Sequence, residues 1–425
     1  MSPRNTARSA AAVVIRPIRT LWLLSIAHAV NHAQAVLLPL IYLEIIKEFG
    51  VSLGTVAILA GVSSFASGTV QLSFASLTRH LPRRVLLGLG GIVFGGAQAL
   101  LALAPNFGSF AALLVLSRVG ASPQHPVGNG LLAEQFPPQR RGFAISAHIA
   151  GGNVGTVSVP LLGAWLIAGV GWRWTLVLFA IPALLIALAI LVLVREAGSD
   201  RAAARAQGSV RDAFRTILRD RDLRWLFLSS VLGGGGRGLG VVNIFVPVYL
   251  ALVIGLDTGT VALMYSVLVV FSVPAPMVAG WLSDRFGRKP LIVGVYLAGA
   301  GAFAVFLAAG SNVAGLWAGI VLLGLFNFAE SPQLQALLAD IAPAGIRDAS
   351  YAAYFTLAFG VGSLWVAVYG AVVEVLGKTA GLPVVFGLMG VTFLLAALAV
   401  LPIRADERAA ANHRAETVET PSADT

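Results

Sequence analysis

The chain has 425 residues, 57% of them hydrophobic and only 11% charged, and a mean hydropathy of +0.85. A water-soluble globule of that composition would expose more apolar surface than solvent tolerates, so the sequence reads as an integral membrane protein. It contains no cysteine, which excludes disulfides, thiol catalysis and Cys-ligated metal.

At about 20 apolar residues per crossing, twelve spans fit, near 20–44, 54–77, 85–104, 109–133, 143–166, 174–194, 225–252, 259–282, 290–309, 313–336, 349–371 and 382–401. They group into an N-terminal six-helix bundle (20–194) and a C-terminal one (225–403). A tail (1–19), a connector (195–224) and a second tail (404–425), expected to lack structure, complete the chain. The first apolar stretch is too long and too polar in its middle for a signal-peptide core, so it is expected to be retained.

The net charge of +10 does not indicate nucleic acid, because the basic residues are sorted by loop. With both termini cytoplasmic, inside segments hold 24 of the 29 Lys and Arg. The outside loops then hold Lys47, Arg173 and Lys378, while Arg118 and Arg237 lie within spans. That asymmetry follows the positive-inside rule and places the basic charge against lipid headgroups. The expected location is the inner membrane of a bacterial cell.

Span 1 carries His28, Asn31, His32 and Gln34 on an otherwise apolar helix. His28 and His32 are four residues apart and share a face. Imidazole titrates near neutral pH, so this face suits proton carriage or anion binding, or else structural hydrogen bonding. Two histidines at that spacing also suit a metal, but no acid lies near them in sequence and none is expected. Span 4 adds Arg118, Gln124 and His125. Span 5 adds His148 and the run Gly151-Gly152-Asn153-x-Gly155-x-x-x-Val159-Pro160-x-x-Gly163, whose small residues permit close helix contact and whose proline permits a bend.

The connector carries eight Arg against five acids, with a surface helix expected around Val210–Arg219. In span 7 four consecutive glycines, Gly233 to Gly236, precede Arg237, a run that destabilises a helix interior and predicts a broken segment beside a charge. Span 10 holds Asn327 and Glu330, the latter the only acid deep in any span. An unpaired carboxylate there is costly, so Glu330 is expected to be neutral or paired with Arg237 or a histidine.

The two halves align at an offset of 206 residues. Leu131-Leu132-Ala133-Glu134, Pro137 and Arg141 fall on Leu337-Leu338-Ala339-Asp340, Pro343 and Arg347, which marks an internal duplication. Between spans 8 and 9 stands Gly280-x-x-x-Asp284-Arg285-x-Gly287-Arg288-Lys289. Its counterpart between spans 2 and 3 keeps Arg79, Arg83 and Arg84 but has Phe74, Thr78 and Leu81 where the signature has Gly280, Asp284 and Gly287. That loss reads either as drift in a loop that needs only to be basic or as an altered latch.

The 280–289 run resembles the loop signature of the major facilitator superfamily of secondary transporters. Resemblance implies an all-α membrane fold of two pseudo-symmetric six-helix bundles, with Gly280, Asp284, Arg285, Gly287 and Arg288 governing gating together with Gly155 and Pro160. The span-5 run is similar to a proline signature of antiporter branches, with Val159 and Ala164 in place of glycines. His28-x-x-Asn31-His32 with Pro39, His125-Pro126, and Gly151-Gly152-Asn153-x-Gly155 with Pro160 together resemble the fosmidomycin-resistance family of drug exporters. Arg237, Phe245-x-Pro247-x-Tyr249-Leu250 and Phe359-Gly360-Val361-Gly362 echo it more loosely. That family usually carries acids at the positions of His32 and Val127, and both are missing here.

The resemblance implies proton-coupled export of a small amphiphilic or anionic compound. His28, Asn31, His32, Gln34, His125, Arg237 and Asn327 are expected at the cavity, with Glu330, Arg118 and His32 in proton coupling. Alternatives are proton-linked uptake of a small organic anion and a non-transporting receptor or lipid-binding scaffold. No ATP loop, haem motif or catalytic triad is evident, so no enzyme and no cofactor is expected. The expected partners are a small molecule, protons and lipid, with the chain as a monomer.

Overall fold

The computed structural model describes residues 14–418 apart from 52, 207–208 and 359–361. All regular structure among them is helical, as a hydrocarbon layer requires when each segment must satisfy its own backbone polar groups. The tails 1–13 and 419–425 and the Phe359–Val361 portion of the span-11 motif lie outside the described residues.

Span 1 is Pro17–Phe49. Span 2 runs Leu53–Val70 and, after a 3-10 turn, Phe74–His80; span 3 is Arg83–Leu101; span 4 is Phe107–Ala121 and, after a turn at Ser122–Gln124, Pro126–Gln135. Spans 5 and 6 form one run, Pro138–Leu193, broken at Gly171 (φ 79°, ψ 161°). Span 7 begins at Arg221–Gly233 and continues irregularly to Ile254. Span 8 is Thr258–Val270 with Pro274–Phe286, span 9 is Arg288–Ala308, and span 10 is Val313–Phe326 with Glu330–Ile341. Span 11 starts at Arg347–Thr356 and resumes in Gly362–Val400, which is broken at Gly377 (φ 76°, ψ 159°) before span 12. Only glycine takes those angles without a Cβ clash, and the two breaks repeat the 206-residue offset.

Among the described residues, eight stretches are long and apolar enough by themselves to cross a membrane. The bundle interior receives polar side chains from many spans, among them His28 in the first, Gln71 in the second, Gln124 and Asn129 in the fourth, His148 and Asn153 in the fifth, all buried. Large apolar side chains instead cover the outside, with Trp22, Phe65, Trp165 and Val375 between 66% and 82% exposed. An apolar outside around an interior that also admits polar groups is the reverse of a water-soluble surface, and is stable only with lipid around the helices.

The halves meet most tightly on the basic side. A Cβ on Gly280 would stand 2.6 Å from Ser146 Oγ and 2.7 Å from Gly142 O, so spans 5 and 8 approach closer than any side chain permits. Asn129 Nδ2 donates to Gln335 Oε1 at 2.5 Å, linking equivalent positions of the two halves. In the connector, helices form over Ser199–Ala206 and Val210–Arg219, the second opened by a reciprocal Ser209–Asp212 capping box.

The tail expected to lack structure from 404 is corrected over Ala405–Val418, which is helical. Arg408 pairs with Asp222 at 3.3 Å and with Asp220, and Asn412 Nδ2 donates to Asp340 O at 2.9 Å. Composition alone read this segment as too polar to order, whereas its partners come from distant parts of the chain.

Candidate functional site

Three polar constellations stand out, one within the C-terminal half, one within the N-terminal half and one between them. The first surrounds the break in span 7. Gly234–Gly236 forms a 3-10 turn and Arg237 is extended (φ −68°, ψ 136°) before the chain resumes helically. Freed backbone groups are taken up by span 10, since Gly238 N donates to Asn327 O at 2.7 Å and Asn327 Nδ2 donates to Gly236 O at 2.8 Å. The break presents Arg237, whose Nε donates to Glu330 Oε1 at 2.6 Å and whose Nη2 donates to Ser230 O at 3.2 Å. Glu330 is fully buried, while the Arg237 side chain keeps 14% exposure. Tyr296 OH stands 3.5 Å from Glu330 Oε2. The expected pairing of Glu330 with Arg237 is present, and two neutral groups reinforce it.

The second constellation is histidine-rich. His28 Nδ1 faces the His148 carbonyl at 2.9 Å, and its ring stacks on that of His148 at 4.5 Å. His32 Nδ1 lies 3.0 Å from Thr156 Oγ1. The His125 ring meets that of His28 edge-on at 4.7 Å. Asn31 Nδ2 donates to Ala121 O at 3.3 Å. Arg118 lies in electrostatic reach of His32 and Tyr42, with its Nε buried. Gln34 turns away from this group, its amide donating to Phe179 O at 2.7 Å within the N-terminal half.

Sequence reasoning missed the bridge between these constellations. The Phe355 ring lies 5.1 Å from that of His125 and 5.2 Å from that of Tyr354, and Tyr354 OH is 3.5 Å from Ser331 Oγ. An aromatic residue in an apolar sequence carries no signal of such a place. Tyr354 did leave one, because it falls on His148 at the duplication offset, as Ser331 falls on His125, Glu330 on Gln124 and Arg237 on Asn31.

The third constellation closes the basic side. Asp284 accepts hydrogen bonds from the backbone N–H of Gly142 (3.0 Å) and Phe143 (2.8 Å) near the start of span 5, where a helix N-terminus favours an anion. Arg288 pairs with Asp284 and with Asp340 (2.9 Å), and donates to Ser283 Oγ (2.6 Å) and Pro138 O (2.8 Å). Gly287 takes φ 90° at the turn, and the Arg285 guanidinium lies 4.3 Å from the Trp281 ring centre. Gly155 lets spans 1 and 5 touch, since a Cβ there would meet Ala29 O. Pro160 lies in the span-5 helix, with its side chain outside what is described.

The 2–3 loop that had lost its acid is compensated across the interface. Thr78 bonds back to Phe74 O at 2.7 Å and its hydroxyl also reaches Asp348, while Arg83 reaches Asp348 (2.9 Å), Asp200 (3.0 Å) and Glu134 (2.6 Å). Asp348 occupies the position that matches Gly142. Both carboxylates therefore come from the C-terminal half, Asp284 on its own loop and Asp348 on the helix start that faces the opposite loop. Asp200, from the connector, also holds Arg347 at 2.9 Å. Burial opposes ionisation of Asp200, but Arg347 and Arg83 outweigh it and hold its carboxyl below the usual range.

A sequence profile described as Major Facilitator Superfamily matches residues 24–367. The Escherichia coli "Fosmidomycin resistance protein" is 26% identical over 362 residues, covering 83% of this chain and 85% of that one. An E. coli protein named "Probable L-galactonate transporter" is 26% identical over 285 residues, or 63% of this chain, and the match spans only 62% of that relative's length. Among solved structures, the proton:xylose symporter XylE bound to 6-bromo-6-deoxy-D-glucose superposes with a TM-score of 0.74 at 16% identity, over 90% of this chain and 94% of that one. The chain is a duplicated all-helical membrane fold that superposes on a solved transporter over 90% of its length, and with the profile matched over residues 24–367 it belongs to the Major Facilitator Superfamily of membrane transporters.

Proposed function

We propose that this multi-pass transporter moves a small organic anion together with a proton, with both termini in the cytoplasm. The observation that carries the reading is the 2.6 Å Arg237–Glu330 pair. While Glu330 is ionised, Arg237 is neutralised by it. Protonation of Glu330 removes that partner and leaves Arg237 to hold an incoming anion, so proton and anion favour each other's binding. A competing cation would call for the opposite coupling. His28, Asn31, His32 and His125 supply the facing wall, with Phe355 between the two sets of polar groups, and the halves rock around this point.

We read the Asp284 and Arg83 contacts as a latch that closes the connector side, a state that an importer and an exporter both pass through. Uptake by symport is favoured by the mutually supporting binding of proton and anion at Arg237–Glu330, and the relative named for L-galactonate, a sugar acid, accords with it. Export in exchange for protons is the second reading. It is favoured by the small-residue and proline run of span 5 and by similarity to the fosmidomycin resistance protein. Under either reading the protein is a transporter and not an enzyme.

Proteoliposomes with an imposed pH gradient test the proposal, using a panel of small carboxylates and phosphonates. Parent protein should accumulate the accepted anion when the trans side is alkaline. Glu330→Gln keeps shape and a hydrogen-bond acceptor but cannot titrate, so it should still exchange labelled for unlabelled anion while losing acceleration by the gradient. Full gradient-driven accumulation in a folded Glu330→Gln variant would remove Glu330 from coupling and transfer that role to the histidines.

A further inference from the structure

Four of the six histidines in the chain meet inside the N-terminal half, and the second copy of the fold does without any of them. At the duplication offset, His28 falls on Gly234, His32 on Gly238, His125 on Ser331 and His148 on Tyr354. Span packing therefore does not require imidazoles at these places. A Cβ at Gly152 would stand 2.9 Å from the His28 ring, so the neighbouring helix is notched to admit it.

The hydrogen bonds assign the tautomers. His28 Nδ1 faces a carbonyl oxygen, that of His148, and must carry the proton. Thr156 Oγ1 lies 3.0 Å from His32 Nδ1 and 3.5 Å from Gly152 O, and we assign it as acceptor from His32 with its own hydrogen turned back along its helix. Each ring then has its lone pair on Nε2. The Nε2 of His28 is buried without a hydrogen-bond partner, a costly arrangement for an acceptor with nothing to accept from. An imidazole anchored through Nδ1–H to an oxygen, with Nε2 bare, is the arrangement of a metal-bound histidine and its supporting group.

One ligand nitrogen from each of His28, His32 and His125 lies within 4.8 Å of the others. Zinc–nitrogen bonds of about 2.0–2.1 Å in a tetrahedral site need nitrogens roughly 3.3 Å apart, so side-chain rotations on the order of 1 Å close the triad. We propose that His28, His32 and His125 bind a divalent transition ion of the zinc class, with the His148 carbonyl and Thr156 hydroxyl fixing the rings. Three neutral nitrogens suit zinc, cobalt, nickel or copper and exclude magnesium or calcium. The triad leaves a fourth position for water or an anion, and Arg118 nearby disfavours a bare dication and favours an anion there. This inference stands whatever solute is carried.

The test uses the full-length protein purified without a histidine tag and Co2+ as a spectroscopic probe. The expected result is saturable binding of one Co2+ per chain, visible absorption of four-coordinate cobalt, and displacement by Zn2+. Affinity should fall on acidification as the rings protonate; the other titratable and charged groups facing them are His148 and Arg118, the latter with Tyr42 beside it. His28→Gln and His125→Gln should each weaken Co2+ by more than about 100-fold, beyond the 10–100-fold typical of losing a supporting group. His80→Gln, outside the cluster, should change nothing. Should the ligand variants fail to fold, Thr156→Val decides, with a loss of roughly tenfold expected. Absence of saturable Co2+ and Zn2+ binding in folded parent protein, or binding that survives the ligand variants or Thr156→Val unchanged, overturns the proposal and leaves the cluster as packing or a proton path.

Discussion

Asp284→Asn isolates the latch on the basic side. In the closed conformation the carboxylate accepts from two backbone N–H groups at 3.0 and 2.8 Å and pairs with Arg288. Hydrogen bonds to a charged group contribute about 1.5–3 kcal/mol and neutral ones about 0.5–1.5, and Asn keeps a single oxygen, so one amide contact weakens and the other loses its acceptor, removing at least about 1 kcal/mol for each. Arg288 keeps Asp340 at 2.9 Å, which limits the further loss. A net shift of about 2 kcal/mol away from closure corresponds to roughly 30-fold in the closed-to-open ratio. Because the chain has no cysteine, Ser146→Cys, set in the Gly280 contact, reports opening without background. Its modification by an impermeant thiol reagent, applied from the connector side, should be about 30-fold faster in the Asp284→Asn background. Transport should slow while substrate affinity stays near that of the parent. Equal modification rates in folded, substrate-binding protein would refute the latch role of Asp284 and leave closure to Arg83 and Asp348.

Three further outcomes are expected. A single cysteine in the connector, such as Arg211→Cys, should resist impermeant reagents in intact cells and react in inverted vesicles; the reverse pattern would overturn the orientation. Because the Asp200 carboxyl titrates below the usual range, its ties to Arg83 and Arg347 are fully present above the ordinary carboxylate pKa and are lost as pH falls through its own lower value. Hydrogen exchange in Ser199–Ala206, corrected for intrinsic rate, should therefore rise only below that ordinary value in the parent but already at neutral pH in Asp200→Asn, and identical exchange at neutral pH would show the helix is held by other means. Phe355→Ala removes the ring between His125 and Tyr354 and should cost about 3–5 kcal/mol of stability if the site cannot collapse. Milder Phe355→Leu should fold and raise KM for the carried solute, and an unchanged KM would make Phe355 packing alone.

The sequence by itself determined the class of the protein, since spans, duplication and charge asymmetry are local or periodic signals that need no knowledge of packing. It also located the main charges: Arg237 after a glycine run and Glu330 as a lone deep acid were each anomalous enough in hydrocarbon to predict a partner, and the 2.6 Å pair follows from that cost. Tertiary structure alone decided which groups meet. His28 and His32 share a helix face by spacing, but His125 and His148 join them from spans 4 and 5, up to 120 residues away along the chain. The 2–3 loop looked eroded because its missing carboxylate stands at Asp348, 265 residues from the Arg83 it serves. Gln34 looked like a cavity residue and is instead tied to Phe179 O. Polar side chains in an apolar helix advertise that they need a partner, yet which partner they find depends on how the helices cross, and periodicity within one helix carries no record of that.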